Sequence, residues 1–269
     1  MISRINKTFA QLKARNEGAL VAFVTAGDPS TSEMPALVAA IAQGGADIVE
    51  LGIPYSDPLA DGPSIQAASQ RALDKGVTPD SVLQMVREIR TLSFVPLVLM
   101  TSYNLVLRYG LERFAQAASE AGADGAILTD LPPEEAAPWK QQAQAHDIAT
   151  IFLVTPVSTP VRIQTIADHT TGFVYCVSRT GVTGAREDVP PDVQAMLGRV
   201  RAATDKPLCV GFGISTPAHV AHIVHAADGA VVGSALVDFL HKHRDSPALM
   251  QDAQALVGTW KAATRRKEA

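Results

Sequence analysis

Two rhythms of apolar and polar positions alternate along the chain. Short apolar, β-branched runs at 19–25 (ALVAFVT), 47–53, 96–102, 125–129, 149–154, 172–177, 207–212 and 229–233 predict strands. Between them, apolar residues recur at three- and four-residue intervals. These stretches, near 32–43, 63–74, 79–91, 111–121, 134–145, 160–167, 191–203 and 217–226, predict amphipathic helices, and a last helix covers about 246–264. Residues 1–18 predict a further short helix with Ile5, Phe9 and Leu12 on one face.

Strands alternating with helices predict parallel βαβ units. Three helix-to-strand joins look alike: GGADIVELG (44–52), AGADGAILTD (121–130) and AADGAVVGS (226–234). Each closes a helix with small residues, then places Asp before a strand, as a recurring unit does. Eight such units predict a single (β/α)8 barrel domain over 1–269, with an extra N-terminal helix and extra helices near strands two and eight. A doubly wound open sheet is the runner-up. Against it, no GxGxxG follows the first strand and no Pro/Gly/Ser-rich linker divides the chain.

In such a barrel, chemistry gathers where strands end. Polar and glycine residues collect there: Asp28, Glu50 to Asp61, Tyr103-Asn104, Asp130, Thr155, Ser178-Arg179, Gly211 to Ser215 and Gly233-Ser234. Strand alternation turns Glu50 inward with Ile48 and Gly52 if Val49 and Leu51 face the outer helices. An inward carboxylate is costly unless it is paired or protonated, and burial would raise its pKa toward the range of a general acid. The plainer alternative is a salt bridge to a barrel-lining cation. Asp61 follows in a loop with three prolines, and its plainer alternative is an N-cap for the helix starting at Pro63.

The glycine motifs GVTG (181–184), GFGIS (211–215) and GSA (233–235) follow strands six, seven and eight. Glycines admit an anion close to the backbone, and helix starts offer free N–H groups, so these loops predict a phosphate cradle. Phe23, Ile65, Met100, Ile127, Leu153, Tyr175 and Phe212 lie on or beside strand ends, as core or as the wall of an apolar aromatic substrate. Residues 179–190 (RTGVTGAREDVP) have the composition of a closing lid.

Composition narrows the partners. The net charge is −4 and there is no basic run, which excludes a nucleic-acid footprint. The run at 94–100 is too short to span a bilayer. No export signal opens the sequence, and Cys176 and Cys209 form no CxxC pair, so a soluble, cytoplasmic protein with two reduced core thiols is expected. His219, His222 and His225 face away from Val220, Ile223 and Val224, which predicts a solvated helix face and no metal site.

VELGIPYSDPLADG (49–62) resembles the signature of the tryptophan synthase α subunit family at every position. FVTAGDP (23–29), the Asn104 segment, SRTGVTG (178–184), GFGIS and GSA follow in that family's order and spacing, over essentially the whole chain. The resemblance implies cleavage of indole-3-glycerol phosphate to indole and glyceraldehyde 3-phosphate, with Glu50 as the acid–base glutamate and Asp61 facing the indole. It implies phosphate ligands at Gly184, Gly213, Gly233 and Ser234, and site-organising roles for Tyr175 and Thr183. It also implies a β subunit in an α2β2 complex, contacted through Asp57 and Pro58, with pyridoxal phosphate in that partner and no cofactor in this chain. Many relatives carry tyrosine where this chain has Ser102, and proline in place of Leu105 and Ala22. Two other readings of the chain are a stand-alone lyase that releases free indole and a regulatory barrel that binds phosphate ligands.

Overall fold

The computed structural model describes residues 3–59, 61–177, 191–211 and 213–266. Its strands are β1 (Ala19–Thr25), β2 (Ile48–Gly52), β3 (Leu97–Thr101), β4 (Gly125–Leu128), β5 (Ala149–Ile151), β6 (Leu153–Val154), β7 (Val174–Val177), β8 (Leu208–Gly211) and β9 (Gly229–Val232). All pair in parallel, in the order β5-β4-β3-β2-β1-β9-β8-β7-β6. β5 and β6 are two halves of one expected strand, parted at Phe152. β5 pairs with β4 and β6 with β7, and the Tyr175 N–H donates to the Phe152 carbonyl at 3.0 Å. Chain continuity through Phe152 therefore closes the sheet into the eight-stranded barrel, and the open doubly wound sheet is excluded.

The helices among the described residues are α1 (Arg4–Ala14), α2 (Met34–Gln43), α3 (Pro63–Asp74), α4 (Pro79–Leu92), α5 (Tyr103–Tyr109), α6 (Leu111–Ala121), α7 (Ala137–Ala145), α8 (Pro160–His169), α9 (Pro191–Ala203), α10 (Pro217–Ala226), α11 (Ser234–Lys242) and α12 (Leu249–Ala262). Proline opens α3, α4, α8, α9 and α10, at the position where a missing N–H costs nothing. Thr78, Thr159 and Thr216 stand just before three of these prolines, and each accepts from the third backbone N–H beyond it. The Thr-Pro pairs are thus start signals readable in the sequence. α5 lies outside the expected helical segments; at 7 residues it is too short to show a period. α11 also lies outside them, starting directly at the glycine turn of Gly233.

Strand alternation splits the core into two layers. Val49, Leu51, Leu97, Leu99, Val210 and Val232 face the helices. Val21, Ile48, Val98, Ile127, Ile151, Cys209 and Val231 fill the barrel, and Ile5, Phe9 and Leu12 of α1 plug its N-terminal end. The Phe9 and Phe173 rings meet there at 5.9 Å between centroids.

The three look-alike joins share one structural job. Asp47, Asp124 and Asp228 each donate a backbone N–H to the carbonyl of Leu20, Leu97 or Leu208 on the preceding barrel strand, at 2.9, 2.8 and 2.8 Å. Each side-chain carboxylate accepts the N–H of that same leucine in return, at 2.8, 2.8 and 2.9 Å. Each carboxylate also meets a cation: Lys261 for Asp47, Arg90 and Arg4 for Asp124, Arg201 for Asp228. These clamps fix strand register at the N-terminal end of the barrel, and the opposite end is left for chemistry.

Candidate active site

β2 delivers Glu50 into the barrel as the alternation requires. Val49 and Leu51 pack outward and Ile48 packs inward, so Glu50 points in beside Ile48. In register it lies between Phe23 of β1 and Val98 of β3. The residue is fully buried, and neither Oε1 nor Oε2 has a hydrogen-bond partner among the described residues. Among the described residues, no barrel-lining cation pairs with it. Burial pushes the Glu50 carboxyl up from 4.5 to about 8. Tyr175 and Cys209 are its neighbours: burial first, then the Glu50 charge, holds both of them well above their ordinary values. Glu50 is consequently a protonated acid at neutral pH.

Asp61 closes the β2–α3 loop. The N-cap of α3 is Gly62, not Asp61. Backbone bonds hold the aspartate instead: its N–H donates to the Pro58 carbonyl at 3.0 Å, and its carbonyl accepts from Gln66 Nε2 at 2.8 Å. The side chain is free of capping duty. Partial burial raises it from 3.8 to about 6, so it is ionised at neutral pH. The two carboxyls therefore sit in opposite protonation states over about pH 6 to 8.

Phe23, Ala68 and Val237 form an apolar cluster at the barrel mouth, with Ile65 and Met100 packed on it. Met100 also touches the barrel-filling layer, as does Leu153. Ile127 lies within that layer, fully buried and in register with Met100. Tyr175 stands at 6% exposure with its hydroxyl against Gly211, where any added Cβ would collide with it.

Gly213 turns the chain after β8 at φ 76°, a conformation that glycine adopts without strain. Gly233 is the N-cap of α11, and its carbonyl accepts from Leu236 and Val237 at 2.9 and 3.0 Å. The first-turn N–H groups of Ser234 and Ala235 precede those bonds and form a helix start of the kind that takes an anion. A Cβ on Gly233 would meet Phe23 and Ile65 at ordinary van der Waals distances of 3.6 and 3.8 Å. The apolar wall and this helix start thus share an edge. Phe212, Thr183, Gly184 and the 179–190 segment lie outside the described residues.

Asp57 is exposed on the β2–α3 loop and accepts from the Ser56 hydroxyl at 2.8 Å; Pro58 is half-buried, and Leu59 beside it is 89% exposed. A groove of about 720 Å³ runs between this loop, α5 and the end of β4, lined by Asp57, Leu59, Ser102, Asn104, Leu105 and Asp130 among others. Glu50 and Asp61 do not line it. It is a surface on the same loop as Asp61, and neither carboxyl opens onto it.

Two features escape sequence reading. Asp28 is buried and held by Arg71 of α3 through two bonds of 2.8 and 2.7 Å, across 43 residues of sequence. Ser64 of α3 donates to Asp238 of α11 at 2.9 Å, across 174 residues. No local pattern marks pairs so distant. Among the described residues, no group of three or more His, Cys, Asp and Glu is placed to hold a metal, and no helix is long and apolar enough to cross a membrane.

The family model described as tryptophan synthase alpha chain matches residues 9–265. The chain is 53% identical to the tryptophan synthase alpha chain of Geobacter sulfurreducens over 241 residues, which cover 90% of this chain and 91% of that one. Among solved structures it is similar to tryptophan synthase subunit alpha from Legionella pneumophila, with TM-score 0.90 and 38% identity, covering 98% and 99% of the two chains. It is equally similar to a chain of Mycobacterium tuberculosis tryptophan synthase, with TM-score 0.91 and 38% identity, covering 99% of this chain and 100% of that chain.

Proposed function

The chain belongs to the tryptophan synthase alpha chain family, a carbon–carbon lyase family that cleaves indole-3-glycerol phosphate to indole and glyceraldehyde 3-phosphate, and we propose that Glu50 and Asp61 carry that reaction here. The observation that supports these roles most is the Glu50 carboxyl, fully buried and without a hydrogen-bond partner among the described residues. An orphaned acid of this kind costs stability and is retained where chemistry uses it.

Glu50 starts protonated and donates its proton to C3 of the indole. Positive charge develops on the ring nitrogen, and the Asp61 carboxylate accepts the ring N–H and balances that charge. Glu50, now a carboxylate, takes the proton of the hydroxyl on the adjoining glycerol carbon. The O–H electron pair becomes the aldehyde C=O, and the C–C bond breaks. Its electron pair returns to the ring, giving neutral indole and glyceraldehyde 3-phosphate. Phe23, Ile65, Met100 and Ile127 wall and floor the indole, with Tyr175 beside them, and Phe212 is assigned as a further substrate contact from its sequence position alone. Gly184, Gly213, Gly233 and Ser234 hold the phosphate, and Thr183 helps to organise the site. No cofactor enters this scheme.

These states set the pH dependence. The free protein needs Asp61 ionised and Glu50 protonated, so kcat/KM for indole formation rises with pH through about 6 and falls through about 8. A rate still rising past pH 9 would show that Glu50 does not begin as the acid.

The proposal extends to a β subunit in an α2β2 complex that takes the indole using its own pyridoxal phosphate, within the cytoplasm. Exposed Asp57 and Leu59, with half-buried Pro58 between them, form a stiff, charged and apolar platform on the loop that also carries Asp61. Docking there acts on a catalytic group directly. Indole formation is therefore expected to be weak alone and to rise with added β subunit, and Asp57→Ala should reduce that rise more than the basal rate. High basal activity indifferent to the partner would favour the stand-alone lyase.

A further inference from the structure

α3 joins two parts of the site that the chain separates widely. Its first residue follows Gly62 and Asp61 directly, and Gln66 bonds the Asp61 carbonyl at 2.8 Å. At the second residue of the helix, Ser64 donates to Asp238 at 2.9 Å. Asp238 lies on α11 one helical turn beyond Ser234, at the start proposed to hold phosphate. Beneath that bond, Ala68 of α3 and Val237 of α11 pack together with Phe23, and Ile65 approaches Gly233. At the far end of α3, the two-bond Arg71–Asp28 pair anchors the helix to the end of β1. Arg71 and the buried Asp28 set the position of α3, and Ser64 sets its rotation against α11.

We propose that Ser64 and Asp238 are positioning residues, which lock α3 to the helix whose start holds the phosphate and so keep Asp61 aimed at the indole nitrogen. The proposal rests on the phosphate reading of α11. Neither residue touches substrate in this scheme. Ser64 supplies its hydroxyl to Asp238, and the phosphate donors that α11 offers are backbone N–H groups of its first turn. Loss of the bond therefore loosens Asp61 without removing a phosphate ligand, and the penalty falls on kcat.

The test is steady-state indole formation and inorganic phosphate binding with the full chain. Ser64→Ala should lower kcat about threefold to tenfold, the scale of one ordinary solvent-exposed hydrogen bond, while phosphate affinity stays at the parent value. Ser64→Thr keeps the hydroxyl and should restore kcat. Asp238→Ala should lower kcat as Ser64→Ala does, and the double variant should fall no further than either single one. A Ser64→Ala protein with parental kcat overturns the proposal, whatever its melting temperature. So does a loss confined to KM. Gly233→Asp, measured alongside, places a like charge at the cradle and should abolish phosphate binding. If Gly233→Asp leaves phosphate affinity unchanged, the phosphate reading itself fails. If it abolishes affinity while Ser64→Ala keeps full kcat, the cradle stands and only the coupling falls.

Discussion

Glu50→Gln should lower indole formation by about 10²–10⁴-fold while retaining substrate binding, because the amide keeps the shape of the side chain and cannot exchange a proton. The same substitution should make the protein more stable than its parent at high pH. The Glu50 carboxyl titrates near about 8 in the fold and near 4.5 when exposed. A raised folded pKa means that the fold binds the proton more tightly than the unfolded chain. The stability carried by that proton is complete below pH 4.5, declines as the pH rises, and is gone once the pH passes about 8. At about 1.4 kcal/mol per pH unit, the loss between those limits is on the order of 5 kcal/mol. Glutamine has no such loss. Urea unfolding of both proteins at pH 5, 7 and 9 should therefore show the variant gaining steadily on its parent. A stability difference that is flat with pH would mean that the carboxyl is solvated or paired, and the mechanism would lose its acid.

Asp61→Asn should cost about 10²–10³-fold in kcat, the scale of removing one fixed electrostatic stabiliser from a water-poor site. The amide oxygen still accepts the indole N–H, so KM should change far less than kcat. What is lost is the negative charge opposite the developing ring cation. The acidic limb of the pH profile near about 6 should also vanish, because its titrating group is gone. Retention of that limb in the Asn variant would assign it to another residue. Equal losses in kcat/KM and in binding would make Asp61 a substrate-anchoring group alone.

The barrel is legible because each element declares itself locally. Alternation in β2 turns Val49 and Leu51 outward and Glu50 inward, and Thr-Pro pairs announce α4, α8 and α10. The repeated Ala-Asp before a strand marks the carboxylate clamps at Leu20, Leu97 and Leu208, although the sequence shows only the repetition and not the bonds. The break at Phe152 is not legible, since 149–154 reads as one continuous apolar run. Nor is α5, whose 7 residues carry too little periodicity. At the site, the placement of Glu50 follows from the strand pattern, and its lack of a partner does not, because that is a property of every side chain facing it. Asp61 reads equally well as a cap, until the structure gives that position to Gly62. The Arg71–Asp28 and Ser64–Asp238 bonds depend on how α3 lies across the barrel mouth, which is settled by packing and not by any local signal.

Carbon-13 titration of the Glu50 carboxyl in the unliganded protein measures the proton on which the whole mechanism turns. A midpoint near about 8 is the expected result, which leaves Glu50 protonated and ready to donate at neutral pH. A midpoint near its ordinary value of 4.5 would contradict it, because Glu50 would then enter the reaction as a carboxylate with no proton for the indole ring.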